Sequence, residues 1–435
     1  MKKSNELRAT AFVATFLVTN AWATDGYFPH GFGMKSKGIG GAAVAVTDNA
    51  FAGINNPAAS AWAGNRAELG VDLFMPKRSA ARVAPGMQGM LEGDVQSDAS
   101  VFAVPEFAYN RKINDRLGWG IAVYGNGGMN TEYAGGSVTC ADSNNQPMQG
   151  LNLLCGQGKL GVDLMQLIVA PTVAYKVNDA HSLGVSPLLV LQQFKATGLQ
   201  AFAGNSVAPS KLTNNGADRS TGMGVRLGYL GQVSDAVKVG ATYSPKIKMG
   251  KFEDYAGLFA GAGSFDIPEN YAMGVNLQVT PAVSVAVDYS RIKYSGVPAI
   301  GNPMSNLMSG NAMGSANGPG FGWSDVSVVK MGVQWQINAS TLLRAGYNHS
   351  TNPVKSENIT FNILAPGVIT KHYTLGGTYA LSKSSELTWA YMYAPKNTVS
   401  GYSMYNGMMQ LNPPSITETV RMSQQSLGVQ YGWKF

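Results

Sequence analysis

The last nine residues of the chain alternate between apolar side chains and small or polar ones. Leu427, Val429, Tyr431, Trp433 and Phe435 form the apolar row, and glycine, glutamine or lysine stands between them. A period of two residues predicts a β-strand with one apolar face. An edge strand of a soluble sandwich would have to bury the aromatic side chains of that face again, so the row favours a surface that meets lipid.

The same alternation occurs in four earlier segments. Their apolar rows are Tyr271, Met273, Val275, Leu277 and Val279; Val283, Val285, Val287 and Tyr289; Val329, Met331, Val333, Trp335 and Ile337; and Leu387, Trp389, Tyr391 and Tyr393. Polar or small residues occupy most of the positions between them. We interpret the apolar rows as facing lipid and the polar rows as facing a lumen, because membrane-spanning β-strands show this alternation.

Short turns alternate with long polar loops between these segments. Clusters of Asn, Asp, Ser and Pro predict tight turns near residues 114, 178, 234, 280, 338 and 381. Long loops are predicted at roughly 79–98, 130–162, 198–218, 252–268, 296–322, 352–367 and 397–420. Seven loops and six turns predict 14 strands, near 66–78, 99–112, 116–129, 163–177, 181–197, 219–233, 236–251, 268–279, 283–295, 324–337, 340–351, 368–380, 385–396 and 422–435.

An even number of strands places both chain ends on the periplasmic side. An unpaired strand edge in lipid would leave backbone groups without hydrogen bonds, so the sheet must close. The sequence therefore predicts an all-β protein, a 14-stranded antiparallel transmembrane β-barrel.

The composition agrees with this class of protein. Only 13% of the residues are charged, and the chain has 53 glycines and 19 tyrosines. The mean hydropathy is -0.04, as expected where lipid-facing and lumen-facing residues cancel in the average. A secreted β-solenoid is the competing class. No later window has about 18 consecutive apolar residues, which excludes a helical membrane protein.

Residues 1–23 resemble a secretory signal peptide. Lys2, Lys3 and Arg8 form a basic start, residues 9–18 an apolar run, and residues 21–23 a cleavage site with small residues at both ends. The apolar run is too short for a membrane helix, although a retained anchor is the alternative. Removal of the peptide would leave a net charge of +5 instead of +7, too small an excess to indicate nucleic-acid binding.

Cysteine and histidine give no sign of a metal site. Cys140 and Cys155 are the only cysteines, and export makes a disulfide the expected state. Both lie in a polar, glycine-rich stretch, which suggests a link across an exposed loop. The histidines are scattered along the chain, at His30, His181, His349 and His372. We expect neither a metal nor a cofactor.

Residues 33–58 are too rich in glycine for a strand or a long helix. The run from Gly38 to Ala43 could be mistaken for a nucleotide-binding loop. No strand precedes it, however, and the glycine spacing is wrong for that motif. We interpret the segment as a compact plug surrounded by the barrel.

A strand series of this kind behind a segment that ends in Asn56-Pro57-Ala58 resembles the FadL family of outer-membrane transporters for hydrophobic compounds. Further matching stretches are Ile113-Asn114-Asp115, Gly118-Trp119-Gly120, Thr131-Glu132-Tyr133, Ala174-Tyr175 and Thr280-Pro281. The resemblance spans essentially the whole mature chain. It implies that residues 24–63 form a small hatch of short helices plugging the lumen, that residues 64–435 form the barrel, and that the protein is a monomer in the outer membrane of a Gram-negative bacterium.

The resemblance also implies a gate in the wall. In the family the third strand kinks inward and opens a hole, and the Asn-Pro-Ala triplet lies beside the kink. The third strand here contains Gly125, Asn126, Gly127 and Gly128, and glycine inside a strand marks a bulge or a close backbone approach. We expect Asn56, Pro57 and Ala58 of the hatch to meet this bend. The alternative is a harmless bulge near the rim.

A fatty acid would require an apolar tunnel and a donor for its carboxylate. The alternation predicts lumen-facing cations at Arg226, Lys238, Lys246, Lys248, Lys330 and Arg344. Each is expected to pair with a wall carboxylate such as Asp72, Glu68, Asp288 or Glu386, with Lys330 and Arg344 the best candidates for contacting ligand.

The family's polar ligand contacts do not carry over cleanly. Gly125 stands where fatty acid transporters have a serine, Ser324 where they have a lysine, and Lys195 is the cation nearest to their arginine position. This departure leaves room for neutral hydrocarbons.

Apolar ligand contacts are expected at both ends of the pathway. Tyr27, Phe28 and Phe32 of the hatch could reach into a lumen pocket or simply anchor the plug. Loops 252–268 and 296–322 are unusually rich in Met and aromatic residues, Phe259 among them. Such side chains can form an adaptable apolar groove, or pack together to close the top of the barrel.

We therefore expect passive uptake of hydrophobic compounds, foremost long-chain fatty acids, with neutral aromatic or aliphatic hydrocarbons or another lipid as the alternative. A general porin is disfavoured because the hatch fills the lumen. Enzymatic activity is not expected: His372 with Thr374 is the one weak candidate pair for a hydrolase, and no acid that would orient the histidine is evident.

Overall fold

A computed structural model describes residues 25–141 and 146–435. Within them, fourteen long antiparallel strands form one closed barrel. They are β1 (Arg66–Val83), β2 (Phe102–Lys112), β3 (Leu117–Tyr133), β4 (Leu160–Lys176), β5 (His181–Thr197), β6 (Asp218–Ser234), β7 (Val237–Ser244), β8 (Asn270–Thr280), β9 (Val283–Ile292), β10 (Val326–Gln336), β11 (Thr341–Ser350), β12 (Lys371–Ala380), β13 (Ser385–Tyr402) and β14 (Thr417–Lys434). The predicted signal peptide lies outside the described residues.

The barrel closes because the last strand pairs with the first. β14 runs antiparallel to β1 over the full length of both, from Arg66 opposite Lys434 to Val83 opposite Thr417. Three shorter strands stand outside this wall. Gly93–Gln96 adds to the upper end of β1, and Val138–Ala141 pairs with Pro147–Leu151 as a two-stranded ribbon. The predicted fold class, a 14-stranded antiparallel barrel, is confirmed.

The strand boundaries differ most from the prediction at β7, β13 and β14. β7 ends at Ser244, well short of residue 251, because Pro245 has no backbone N–H to continue the ladder. β13 and β14 extend above the predicted ends to Tyr402 and from Thr417. The wall is therefore tall around β14 and low around β7.

The faces of the strands follow the predicted alternation. On β14, Val429 is 45% exposed on the outside, whereas Gln430 is 2% exposed inside. The rows through Val275, Val287, Met331 and Trp389 are exposed in the same way. The outer surface of the wall is therefore an apolar band, as a lipid-embedded barrel requires.

The segment from residue 25 to residue 65 lies inside the barrel. It contains α1 (Met34–Gly38), α2 (Ala52–Asn55) and a 3-10 turn (Pro57–Ala61), and it contacts strands all around the wall. Wall glycines permit this close fit. A Cβ on Gly346 would lie 2.1 Å from the Gly40 nitrogen, and one on Gly228 would lie 2.2 Å from Asn56 Oδ1. We refer to residues 25–65 as the hatch.

The long loops carry further single-turn helices. They are Gln200–Asn205, Pro209–Lys211, Glu253–Tyr255, Ala260–Gly263, Tyr294–Gly296, Pro298–Gly301, Ser305–Met308, Ser356–Asn358, Phe361–Ile363 and Tyr405–Met408. In the part of the chain that the structure describes, no helix has the length and apolar character needed to span a membrane.

Candidate functional site

The third strand is bent at its glycine-rich centre. The register between β3 and β4 shifts between Gly125 and Gly127, which leaves Asn126 as an extra residue in a bulge. Gly127 has a φ of 140°, a conformation that side chains other than glycine rarely adopt. Burial alternates along β3 up to Gly125, and then residues 126–131 are all buried. Both faces of this part of β3 are therefore covered, so it has moved inward from the wall.

The bend interrupts the wall between β2 and β3. Within the described residues, the ladder between these strands covers Phe107–Lys112 and Gly118–Val123. Pairing with β3 resumes higher up, where Ser97, in the segment before β2, pairs with Tyr133. Between the two regions, Val104 of β2 packs against Met165 of β4 across the glycine stretch. The pairing of β2 with β3 is thus interrupted between a paired region below and one above, and we call this interruption the β2–β3 gap.

The beginning of the hatch lies at this gap. The Gly128 N–H donates to the Tyr27 carbonyl over 3.3 Å. A Cβ on Gly127 would lie only 1.9 Å from the same oxygen, so the contact requires glycine. Asn126 points to the neighbouring strand and donates from Nδ2 to Gln166 Oε1 at 3.0 Å. Backbone groups freed by the bulge are in this way partly satisfied by the hatch.

An extracellular loop holds the beginning of the hatch in place. The Tyr294 hydroxyl accepts from the N–H groups of Tyr27 and Phe28 at 3.1 and 3.3 Å and donates to the Asp25 carbonyl at 2.6 Å. Burial raises the pKa of Tyr294 well above its usual value, so this hydroxyl stays protonated and able to donate. The Trp323 ring packs edge-on against Tyr294. Tyr294 and Trp323 were not predicted from the sequence as site residues.

An apolar groove lies above the gap, among the extracellular loops. Every lining residue that the structure describes is apolar or glycine. Its walls come from five loops and the tops of β4 and β5, with Leu154, Phe194, Phe202, Phe259, Met313 and Phe361 among the lining residues. The predicted apolar loops thus contribute to a groove and also pack on one another, since Phe252, Tyr255 and Phe265 are fully buried.

A row of aromatic rings connects the groove with the hatch. Phe194 and Phe259 have ring centroids 4.6 Å apart, and Phe259 and Phe265 are 5.0 Å apart. Phe265 is then 6.3 Å from Tyr27, whose carbonyl contacts the gap. An apolar ligand could follow this row from the groove to the interrupted wall.

A second cavity lies between the hatch and β6–β10. Its lining is mixed. Phe28 and Phe32 contribute apolar surface, while Arg226, Asp288 and Lys330 contribute charge. Phe32 also packs on Tyr124 of β3 with ring centroids 4.6 Å apart.

Comparison with known proteins identifies the family. A family model described as outer membrane protein transport protein (OMPP1/FadL/TodX) matches residues 11–435. The chain belongs to this family. It is therefore an outer-membrane transport protein and not an enzyme.

Solved structures agree with this family in fold. The toluene transporter TodX of P. putida is similar with a TM-score of 0.67 at 19% identity, over 93% of this chain and 99% of that one. The toluene transporter TbuX of Ralstonia pickettii gives 0.63 at 19% identity, over 93% and 99%. A FadL homologue of Pseudomonas aeruginosa gives 0.67 at 15% identity, over 94% and 100%. At such identities the likeness shows the fold alone. No curated protein matches the chain.

The Asn-Pro-Ala triplet of this family member does not lie at the bend of β3, contrary to our expectation. Asn56 donates to the Tyr229 carbonyl of β6 at 2.8 Å, and the Ala58 carbonyl accepts from Ser182 of β5 at 3.1 Å. Tyr229 and Ser182 are both near the periplasmic ends of their strands, several residue pairs below the level of the bulge. The expectation was wrong because the beginning of the hatch, and not its end, reaches the height of the glycines.

Hatch lysines pair with most of the wall carboxylates, and the wall residue Lys434 also lies 2.6 Å from Glu386. Lys37 Nζ lies 2.9 Å from Asp72 and 3.1 Å from Glu106. Lys35 contacts Glu386 at 2.5 Å and Glu68 at 3.4 Å, and its Nζ and both carboxylates are almost completely buried. Among the described residues, none of the six predicted lumen cations forms an ion pair with the predicted wall carboxylates, so that part of the expectation is wrong. Asp288, the remaining carboxylate, accepts from the Val44 N–H of the hatch at 2.9 Å.

The predicted lumen cations hold the hatch instead of projecting freely into a pocket. Arg226 donates to the Ile54 carbonyl at 2.7 Å, and Lys330 donates to the His30 carbonyl at 2.8 Å. Arg344 is 4% exposed and bonds Gln334, Thr378 and Asp48, so it is not placed to contact ligand. Lys238 stacks on Trp62. Lys246 and Lys248 are exposed beyond the end of β7.

Lys195 is on the wrong face of the wall for a ligand contact. Phe194 faces inward and lines the groove, so the next residue of β5 must face outward. Lys195 is exposed there, in register with Asp163 of β4. The alternation rule alone could have excluded Lys195.

The remaining candidate residues have structural contacts. Cys140 and Cys155 are joined as a disulfide beside the exposed ribbon. Thr374 accepts from Gly40 N–H and donates to the Gly38 carbonyl, which ties it to the hatch. In residues 25–141 and 146–435, no cluster of His, Cys, Asp and Glu could hold a metal ion.

Proposed function

We propose that the protein is a passive channel for the uptake of hydrophobic compounds across the outer membrane of a Gram-negative bacterium, acting as a monomer. The supporting observation is the row of aromatic rings between the apolar groove and the β2–β3 gap. A ligand would enter at the groove, pass Tyr27 and leave sideways through the gap into the lipid. Such a route keeps an apolar molecule out of water, which is its least favourable environment.

Uncharged hydrocarbons fit this pathway better than fatty acids. The groove offers an apolar lining and no cation, and two similar structures are described as toluene transporters. Arg226 and Lys330 already donate to hatch carbonyls, so neither is free to receive a carboxylate without losing a bond to the hatch. Long-chain fatty acids remain the second candidate, because these two cations line the lower cavity.

A panel of carbon sources tests the substrate class. A strain lacking its own hydrophobic-compound channels and carrying this gene should grow faster on limiting toluene or octane than the same strain with an empty plasmid. Its growth on oleate should change much less. Equal growth with and without the gene on every apolar substrate would remove the uptake hypothesis, and faster growth on oleate alone would select fatty acids.

A charge in the groove should lower the uptake of an apolar compound. Phe259 is 5% exposed and stacks between Phe194 and Phe265, so Phe259→Asp places a carboxylate in an apolar lining. We expect initial uptake of radiolabelled toluene to fall at least fivefold at low concentration. Met148→Asp is the matched control, because Met148 is 44% exposed on the ribbon. Unchanged uptake by the Phe259 variant would show that the groove is not on the route.

A further inference from the structure

Three cations gather on the outside of the barrel, at the upper part of β13, β14 and β1. Lys77 of β1 is exposed and lies in register with Ser423 of β14. Arg421 follows two positions away on the same face, which makes it a diagonal neighbour of Lys77. On the other side of β14, the register shifts between Ala394 and Asn397, and the extra residue of this bulge brings Lys396 opposite Ser423.

The three cations line a shallow cavity. Ser79, Gln96, Ser423 and the buried Arg78 complete its polar lining. Hydroxyl and amide groups beside Lys and Arg are the donors that phosphate oxygens accept from. The composition of the cavity is therefore suited to an anionic group and not to an apolar ligand.

The height of this cluster matches the head-group level of the outer leaflet. Below it, β1 exposes Leu69, Val71 and Leu73 in a continuous apolar row. At roughly 3.3 Å per residue and a strand tilt of about 40°, ten residues from Ala67 to Lys77 rise about 25 Å, the usual height of the apolar band. Lys77 thus stands at the extracellular edge of the band.

Several outward cations elsewhere on the barrel have acidic partners. Arg291 lies 3.3 Å from Asp325, Lys293 lies 2.7 Å from Glu269, and Lys159 lies 2.6 Å from Glu132.

In the cluster, by contrast, the described residues offer one acid. Asp94, which is 71% exposed, lies 3.7 Å from Arg421. Lys77 and Lys396 form no ion pair with any residue that the structure describes. The cluster therefore carries three cations against one exposed acid, which is a local excess of positive charge.

We propose that Lys77, Lys396 and Arg421 bind the phosphate groups of lipopolysaccharide, the phosphorylated glycolipid of the outer leaflet. The acyl chains would lie along the apolar row below, against Leu73 and Leu427, which are in register on β1 and β14. Basic side chains at this depth attract anionic head groups while the stems of Lys and Arg stay on the apolar wall. The site is outside the transport pathway, so it concerns how the barrel is held in its membrane.

Binding of purified lipopolysaccharide to the folded protein in mild detergent tests the proposal. The triple variant Lys77→Gln, Lys396→Gln and Arg421→Gln should bind roughly 100-fold more weakly. Each of the three positive charges contributes a similar part of the binding free energy to an anionic surface. The matched control is Arg219→Gln with Arg291→Gln and Lys159→Gln, which removes three outward cations from other parts of the wall and should bind almost normally. Equal losses in both variants would overturn the proposal.

A variant that gains binding distinguishes a change in the site from damage to the fold. Asp94→Asn removes the acid of the cluster, and it should tighten binding roughly fivefold, which a misfolded barrel cannot do. Glycolipid stripped of its phosphates should bind no better to the wild type than to the triple variant. Tight binding of that stripped lipid would refute phosphate recognition, and full displacement of the intact lipid by millimolar inorganic phosphate would show a site for a free anion instead.

Discussion

The variant Gly127→Leu should lower uptake at least tenfold while leaving the amount of folded barrel in the outer membrane unchanged. A Cβ at this position would lie 1.9 Å from the Tyr27 carbonyl, and the φ of 140° is unfavourable for leucine. The larger side chain would also be directed at the Tyr27 ring, whose Cδ2 would lie 3.0 Å from that Cβ. Both effects act at the proposed exit, whereas the strand pairing below the gap, which assembly needs, is untouched.

The measurement is initial uptake of radiolabelled toluene by cells, normalised to folded protein. Folding is followed by the heat-dependent gel mobility of the barrel. Gly204→Leu is the control, because a Cβ on Gly204 would have no atom within 4 Å. Gly127→Ala, which adds a single carbon, should give an intermediate rate. A folded Gly127→Leu barrel with normal uptake would exclude the β2–β3 gap as the exit.

The barrel could be predicted from the sequence because its determinants are local. An apolar row with a period of two, such as Leu427 to Phe435, specifies a strand and its lipid face without reference to any partner. The lipid then requires every strand to be paired on both sides, so the predicted strands must close into one barrel. The end of β7 was missed because the residues after Pro245 are still chemically suited to a strand.

The contacts of the hatch could not be predicted, because they join residues that are distant in the chain. Lys35 meets Glu386 from 351 positions away. Tyr27, and not Asn56, reaches the bulge of β3, and this depends on how high each part of the hatch rises in the lumen. Sequence periodicity assigns a strand residue to one face of the wall. It does not predict the level along the barrel axis at which a segment that is not a strand will lie. The sequence signal for these contacts was the pair of lysines, Lys35 and Lys37, in a segment otherwise rich in Gly and Ala.

The variant Lys37→Met should loosen the hatch and make the barrel leaky. Lys37 Nζ lies between Asp72 and Glu106, and all three side chains are at most 4% exposed. Methionine keeps the length of the side chain but leaves two buried carboxylates without this cation. Removing one partner of a buried ion pair costs about 3–5 kcal/mol, comparable with the whole stability of a small domain. We therefore expect the hatch to open far more often than in the wild type.

Two measurements follow the loosening of the hatch. Amide hydrogen exchange in residues 25–65 should accelerate, while exchange in the barrel strands stays slow. In planar bilayers the variant should show ionic conductance well above the small current of the plugged wild type. Lys112→Met is the control, because its pair with Asp115 is on an exposed periplasmic turn and contributes little.

The neutralised triple variant separates lost charge balance from lost packing. Asp72→Asn with Glu106→Gln, added to Lys37→Met, removes the buried negative charge that methionine leaves behind. Replacing a whole buried ion cluster with neutral groups of similar volume is often nearly neutral in stability, so slow exchange and low conductance should return. If the triple variant stayed as leaky as Lys37→Met, the lysine would act through its packing or its other contacts. If Lys37→Met itself stayed closed, the hatch would be held by its backbone contacts with the wall, such as those at Gly228 and Gly346.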